Sequence, residues 1–271
     1  MPAPRALLLV ALLLPAAAAA GDCPPRMKRI PGGTFQAADG DELRVGPFCM
    51  DVTEVTAGAY ARCVDVGACR SDGLDCGSAA TYGQPGTANH PVNCVTWFEA
   101  DAFCRAHGKR LPSEPEWEWA ARGEGRGATF PWGEDAPASR ACWDGDGSAA
   151  GKGERKATCV VGAHPRSTSP DGLQDLAGNV REWTSTESGR FRVLRGGSWG
   201  DSLPEFLSAG FRGWNAPDER MELIGFRCAS AVGARAITPR RIVAKAKAEL
   251  RDDGVWVMPF EVNPAARRGR R

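Results

Sequence analysis

Ten cysteines lie behind what reads as a secretory leader. Arg5 gives a short basic region, Ala6 to Leu14 an apolar core, and Ala16 to Ala20 the small residues a leader peptidase cleaves behind. That apolar stretch is too short for a transmembrane helix, and no later segment is apolar enough to span a bilayer. Residues 1–20 are therefore expected to be a signal peptide cut near Ala20 or Gly21, and the remainder to be exported, either secreted or periplasmic. A lipoprotein anchor at Cys23 is the lesser alternative, because Asp22 stands where such sites want a small residue. In an oxidising compartment an even cysteine count reads as a disulfide framework. A zinc reading is weaker, because there is no Cys-x-x-Cys, and His90, His107 and His164 are not at ligand spacing to one another.

The chain has 271 residues, enough for one large domain or two small ones and for a core without staples. Lys and Arg number 34 against 33 Asp and Glu, a balance that argues against a general nucleic-acid binder. Thirty-three Gly and 20 Pro, with few helix-length apolar periods, point to a loop-rich fold. Strands are expected over 27–35, ending in a Gly-Gly turn, and over 48–52, 192–199 and 224–230. Thr56 is expected to cap a helix that stops at Gly67. Two capping boxes follow, Thr96 with Glu99 and Ser113 with Glu116, in which a hydroxyl and a carboxylate each satisfy an orphan amide. Gly108 and Gly123 end these helices, and Pro115 sits in a first turn, where its missing N–H costs little. Residues 126–171 show no regular pattern, and a Cys142–Cys159 bridge would tie them down. The segment 236–271 is a basic tail in which a helix from Thr238 to about Leu250 and a strand over 255–260 are expected, with a frayed arginine-rich end.

Four blocks stand in order between about residues 26 and 230. The first is Glu54-Val55-Thr56 with Tyr60. The second runs from His90-Pro91-Val92 through Trp97 to Gly108-Lys109-Arg110-Leu111-Pro112-Ser113-Glu114-Pro115-Glu116-Trp117-Glu118. The third runs from Gly172-Leu173 to Gly178-Asn179-Val180-Arg181-Glu182-Trp183-Thr184. The fourth is Arg195-Gly196-Gly197-Ser198-Trp199, closing with Gly225-Phe226-Arg227-Cys228. Together they resemble the formylglycine-generating enzyme, or sulfatase-modifying factor, family. The resemblance implies a single α+β domain over residues 23–235, loop-rich and a distant variant of the C-type lectin fold. It also implies an activity: family enzymes oxidise a sulfatase cysteine to formylglycine, using oxygen and a copper ion held by two cysteine thiolates. Those thiolates lie between the Gly-Gly-Ser and Gly-Phe-Arg-Cys blocks.

No cysteine occurs here between Cys159 and Cys228. The first thiolate position falls on Asp201, and the second near residues 204–206. Copper(I) prefers sulfur, whereas a carboxylate is a hard ligand that can form no disulfide. Copper and the family reaction are therefore not expected. The resemblance places Ser198, Asp201, Glu205, Arg212, Trp214 and Asn215 along the former active-site region. It also implies a structural Cys104–Cys228 disulfide; Cys63–Cys69 and Cys76–Cys94 are further candidates, and Cys23–Cys49 follows by elimination. It implies a calcium loop as well, with carboxylates from Asp175 and Glu182 and carbonyls from Gly178 and Val180, completed by other oxygens. The bland reading of the same segment is a turn whose Asn179 and Glu182 satisfy backbone amides. Asp144 and Asp146 suggest a second cation loop, but Arg155 excludes an EF-hand. Trp97, Trp117, Trp183 and Trp199 read as core, His90 as a loop hydrogen-bonder, and Glu114, Glu116 and Glu118 as helix-start acids.

The expectation is thus an exported, disulfide-stabilised family member without cysteine-oxidising activity, binding a peptide, protein or cell-envelope component in its cleft. Two enzymatic alternatives stand beside it: formylglycine generation by a non-standard site, and a different oxidation using Asp201 with a metal. A calcium-dependent sugar-binding lectin is the third.

Overall fold

The computed structural model describes residues 23–124, 126–145, 155–235 and 237. The leader, Asp146 and the tail elements expected beyond residue 237 lie outside the described residues. In chain order the elements are β1 (Met27–Ile30), β2 (Gly33–Gln36), β3 (Glu42–Val45), β4 (Phe48–Asp51), α1 (Ala57–Asp65), α2 (Trp97–Ala106), α3 (Glu114–Ala121), β5 (Arg181–Ser188), β6 (Phe191–Arg195), β7 (Arg212–Asn215), β8 (Ile224–Gly225) and β9 (Ala229–Ala231).

Every residue of β4 is buried, because β4 runs between antiparallel β1 and β9. The strand expected over 27–35 is two strands. Pro31 cannot donate to a ladder, and a Cβ on Gly32 would meet the Val45 carbonyl oxygen at 2.6 Å, so the chain turns there and β2 pairs with β3 instead. A four-stranded sheet, ordered β7-β6-β5-β8, carries the second half of the domain. Its β5–β8 pairing is parallel, with Arg181 opposite Ile224 and Glu182 opposite Gly225. β5 escapes a sequence reading because Glu182, Trp183 and Thr184 are all buried, leaving no polar–apolar alternation. β7 escapes because it is four residues long and holds a glycine.

The helices follow their caps. Thr56, Thr96 and Ser113 each accept from the amide three residues on, and both capping boxes form. Gly67 and Gly108 end α1 and α2 at φ of 73° and 70°. In each case the next amide reaches back to a helix carbonyl, Ala68 to Cys63 at 3.0 Å and Lys109 to Cys104 at 2.8 Å, which a Cβ at the left-handed residue would oppose. α1 and α2 pack Tyr60, Ala100, Phe103 and Cys104 against Trp183, Leu194 and Phe226. α3 packs Trp117, Trp119 and Ala120 against the β1–β4 layer with Leu173 and Leu176.

All ten cysteines are paired: Cys23–Cys49, Cys63–Cys69, Cys76–Cys94, Cys104–Cys228 and Cys142–Cys159. Residues 126–171 have only short 3-10 turns among their described residues, with the Cys142–Cys159 bridge and a small cluster of Phe130, Ala141, Trp143, Ala177 and Leu207 beneath them.

Where the chain leaves α3, Asp171 meets Glu124. Burial, and then the neighbouring Glu124 carboxyl, push Asp171 up to about 7. An acid raised in the folded state is stabilising as long as it keeps its proton, so this contribution is present below the unfolded value near 4 and lost as pH rises through about 7. Asp171→Asn is therefore expected to raise Tm at pH 8 and leave it unchanged or lower at pH 4. Equal shifts at both pH values in thermal melts would contradict the shared proton.

Candidate functional site

Asp201 leaves the end of the Gly-Gly-Ser turn and folds back onto it. Its Oδ2 accepts from the Ser198 amide at 2.7 Å and the Ser198 hydroxyl at 2.9 Å, and its Oδ1 takes Arg181 Nη2 at 2.5 Å. Both Ser198 and Asp201 are buried. The Asp201 carbonyl also accepts from the Asp144 amide at 3.0 Å. Asn179 supports the same corner. Its amide donates to Cys142, its carbonyl accepts from Trp199, and its side-chain oxygen accepts from the Cys159 amide at 3.0 Å. The position where the sequence leads us to expect a thiolate in an active family member thus holds a carboxylate whose two oxygens are already engaged.

The other predicted residues separate from this corner. Arg212 pairs with Glu114 at 2.7 Å. Trp214 stands 57% exposed on the same face of β7 as Arg212, opposite Val193. Asn215 points to the other face, where Nδ2 meets Met221 Sδ at 3.4 Å and the side-chain oxygen accepts from Ala216. Glu205 is exposed on a 3-10 turn, Pro204–Leu207. Ser198 and Asp201 are together; Arg212 and Trp214 form a second pair; Glu205 and Asn215 join neither.

The residues behind Arg212 include one that sequence reasoning placed differently. Glu118, taken as a helix-start acid, is buried. It binds Arg195 Nη2, Arg122 Nε at 2.7 Å and the Ala38 amide at 2.8 Å. Glu116 likewise pairs with Arg110 at 2.6 Å, so these acids are ion-pair partners and not only complements to the helix dipole. Arg195 in turn donates to the Gly210 and Phe211 carbonyls. His90 makes the expected loop contact, to Thr158 Oγ1 at 2.9 Å.

The predicted calcium loop sits in the core. Glu182 Oε2 accepts from Trp117 Nε1 at 2.9 Å, and both its oxygens face Arg227, whose Nε lies 2.8–2.9 Å away. Burial acts against the Arg227 charge, but the surrounding carboxyls, Glu182 first and then Glu54 and Asp175, together raise the guanidinium above its ordinary value. Asp175 accepts from the Gly162 amide at 2.6 Å and has a left-handed backbone, φ 56°. Gly178 also takes positive φ, with its amide on the Gly196 carbonyl at 2.7 Å, and Val180 is fully buried. A third acid, Glu54, was missed: an acid beside a buried valine has no period or partner in sequence that announces it. Burial, then the Asp175 charge, push Glu54 well above the usual carboxylate range. Both its oxygens are buried without a hydrogen-bond partner. A cation beside Glu54 would satisfy them, but Glu54, Asp175 and Glu182 do not bring three carboxylate oxygens within 4.8 Å of one another, and both Glu182 oxygens are already held by Arg227. Among the described residues, the one group of three His, Cys, Asp or Glu donors within 4.8 Å of one another is Cys142, Cys159 and His164, whose two sulfurs are spent on their disulfide.

The profile of the sulfatase-modifying factor enzyme 1-like domain matches residues 15–232. The chain belongs to this family. Among its relatives, the inactive C-alpha-formylglycine-generating enzyme 2 of Bos taurus is 40% identical over 156 residues, which are 53% of this chain and 51% of that protein. The chain therefore spans about half the length of that relative. The formylglycine-generating enzyme of Streptomyces coelicolor is 31% identical over 276 residues, covering 74% of this chain and 88% of that enzyme. Among solved structures, PvdO from Pseudomonas aeruginosa superposes with a TM-score of 0.59 at 25% identity, over 76% of this chain and 94% of that one. The α+β, loop-rich fold is thus the sulfatase-modifying factor fold. Among the described residues, no helix is long and apolar enough to cross a membrane.

Proposed function

We propose that this protein is an exported, disulfide-stabilised sulfatase-modifying-factor domain that does not oxidise cysteine and instead binds a peptide, protein or cell-envelope component. One observation supports the negative half: every cysteine is in a disulfide, and Asp201, which the family resemblance sets at a thiolate position, is held by Ser198 and Arg181. A soft copper centre has no donor in such a site. Support for the binding half comes from Trp214, an exposed aromatic next to the Arg212–Glu114 pair, since such residues recur as anchors of recognition surfaces.

The test is direct. Purified protein incubated with copper, oxygen and a Cys-x-Pro-x-Arg peptide is expected to leave the peptide mass unchanged. Loss of sulfur and gain of the aldehyde, seen by mass spectrometry, would overturn the reading and restore the oxidase alternative.

Calcium is part of the same proposal, as a structural ion. Glu54 and Asp175 would supply carboxylates and Gly178 and Val180 carbonyls, Glu182 staying with Arg227, and the ion would supply charge neutralisation in place of the Glu54 proton. Calcium at about 100-fold above Kd is expected to raise Tm by about 5–10 °C over chelator-treated protein. Glu54→Gln is expected to erase the shift. A wild-type melt indifferent to calcium and chelator would remove the ion from the proposal.

A further inference from the structure

A cavity of about 500 Å³ opens where α1 and α2 approach the start of β1 and the end of β4, sharing only Glu54 with the sites described above. Val52, Val55, Ala59 and Phe103 give it an apolar floor. Its rim is cationic. Lys109 is answered by Asp51 at 2.5 Å, and Asp51 spends its other oxygen on the Cys228 amide at 2.9 Å. Arg26 and Arg62 also line the cavity and have no such answer: neither makes an ion pair or a side-chain hydrogen bond with a described residue. The remaining acid of the lining, Glu54, has both carboxyl oxygens buried and does not neutralise them.

The walls are fixed rather than incidental. Arg26 takes a left-handed backbone, φ 63°, and its carbonyl accepts from the Val52 amide at 3.0 Å, which fixes its main chain at the rim while its side chain, like that of Arg62, is exposed. Arg62 stands in the last turn of α1, where the helix dipole favours a cation. His107 lies against Phe103 with ring centroids 4.2 Å apart, and its Nδ1 bonds the Phe103 carbonyl at 2.8 Å. The hydrogen is therefore on Nδ1, and Nε2 is the nitrogen free to accept.

We propose that this cavity binds a small amphipathic anion, with a carboxylate head paired to Arg26 and Arg62 and an apolar body on Val55, Ala59 and Phe103. Its volume is that of small-molecule sites, and a guanidinium pairs with a carboxylate by two parallel hydrogen bonds. Two unanswered guanidinium groups over an apolar floor call for such a ligand; a neutral apolar molecule would leave both charges unused. The site is independent of the Asp201 and Trp214 region, so it stands whether or not that region binds anything.

The experiment titrates the full chain with 4-phenylbutyrate and with octanoate, and with the matching alcohols, by calorimetry and amide NMR. At least one acid is expected to bind, shifting the amides of Val55, Ala59, Phe103 and His107, and to bind about tenfold or more tightly than its alcohol. The preference between the two acids defines the body the floor accepts. Arg62→Gln is expected to weaken the acid about fivefold, and Arg26→Gln with Arg62→Gln to bring it to the level of the alcohol, while both variants melt as the wild type does. The proposal is overturned if neither acid binds, if alcohol and acid bind equally, if correctly melting variants bind like the wild type, or if the shifted amides lie elsewhere.

Discussion

Arg227→Met will destabilise the protein by about 3–5 kcal/mol, the range for stripping one partner from a buried ion pair. Arg227 is fully buried. Besides gripping Glu182, it donates to four carbonyls, those of Asp51, Val52, Gln174 and Asp175, at 2.9–3.2 Å. One guanidinium thus joins β4, the cation-loop segment and β5. Methionine fills much of the volume but leaves the Glu182 charge facing apolar surroundings and the carbonyls without donors. Arg227→Lys keeps the charge and loses the fork, so it should fall between. Arg227→Met with Glu182→Leu should recover part of the loss, because the stranded charge is gone. Urea midpoints measure all three, and a single Arg227→Met variant within about 1 kcal/mol of wild type would refute this account.

The second large effect belongs to Cys104–Cys228. This bridge has a sequence separation of 124 residues, against 6 to 26 for the other four. Both its cysteines are fully buried between α2 and the approach to β9. Replacing both with alanine is expected to cost about 4–5 kcal/mol, the upper part of the natural range, because a long closed loop constrains the unfolded chain most. For a domain of this size that is a fall in Tm of about 10–20 °C. The Cys63–Cys69 pair closes a tight loop at the end of α1, and its removal is expected to cost clearly less. The comparison of the two variants is the check: equal losses would mean that packing of the sulfurs, and not the length of the loop, sets their value.

Sequence read well wherever a local rule was sufficient. The three helices carry their signals in the caps at Thr56, Thr96 and Ser113, and the structure places each where the hydroxyl and carboxylate spacing put it. Long-range strand pairing has no such rule. β5 was invisible because burial on consecutive residues erases alternation, and the expected strand over 224–230 breaks into β8 and β9, the Phe226 carbonyl being taken by the Val55 amide and the Cys228 amide by the Asp51 carboxylate rather than by a neighbouring strand. The expected strand over 192–199 stops at Arg195, since Gly196 and Gly197 both take positive φ. At the candidate site, the absence of cysteine was plain from residue types alone, while the burial of Glu54 beside Asp175 and the double duty of Glu118 depend on which distant residues each meets. Residue types announce a donor; only the fold tells what the donor already holds.

The grip on Asp201 also bears on redesign. Placing cysteine at 201 would take the acceptor away from the Ser198 amide and hydroxyl and leave Arg181, whose Nε is already buried and unmatched, without its counter-ion. Sulfur could be installed at this corner only together with a change at Arg181, because the turn is assembled around an anion and one isolated exchange would strand the guanidinium.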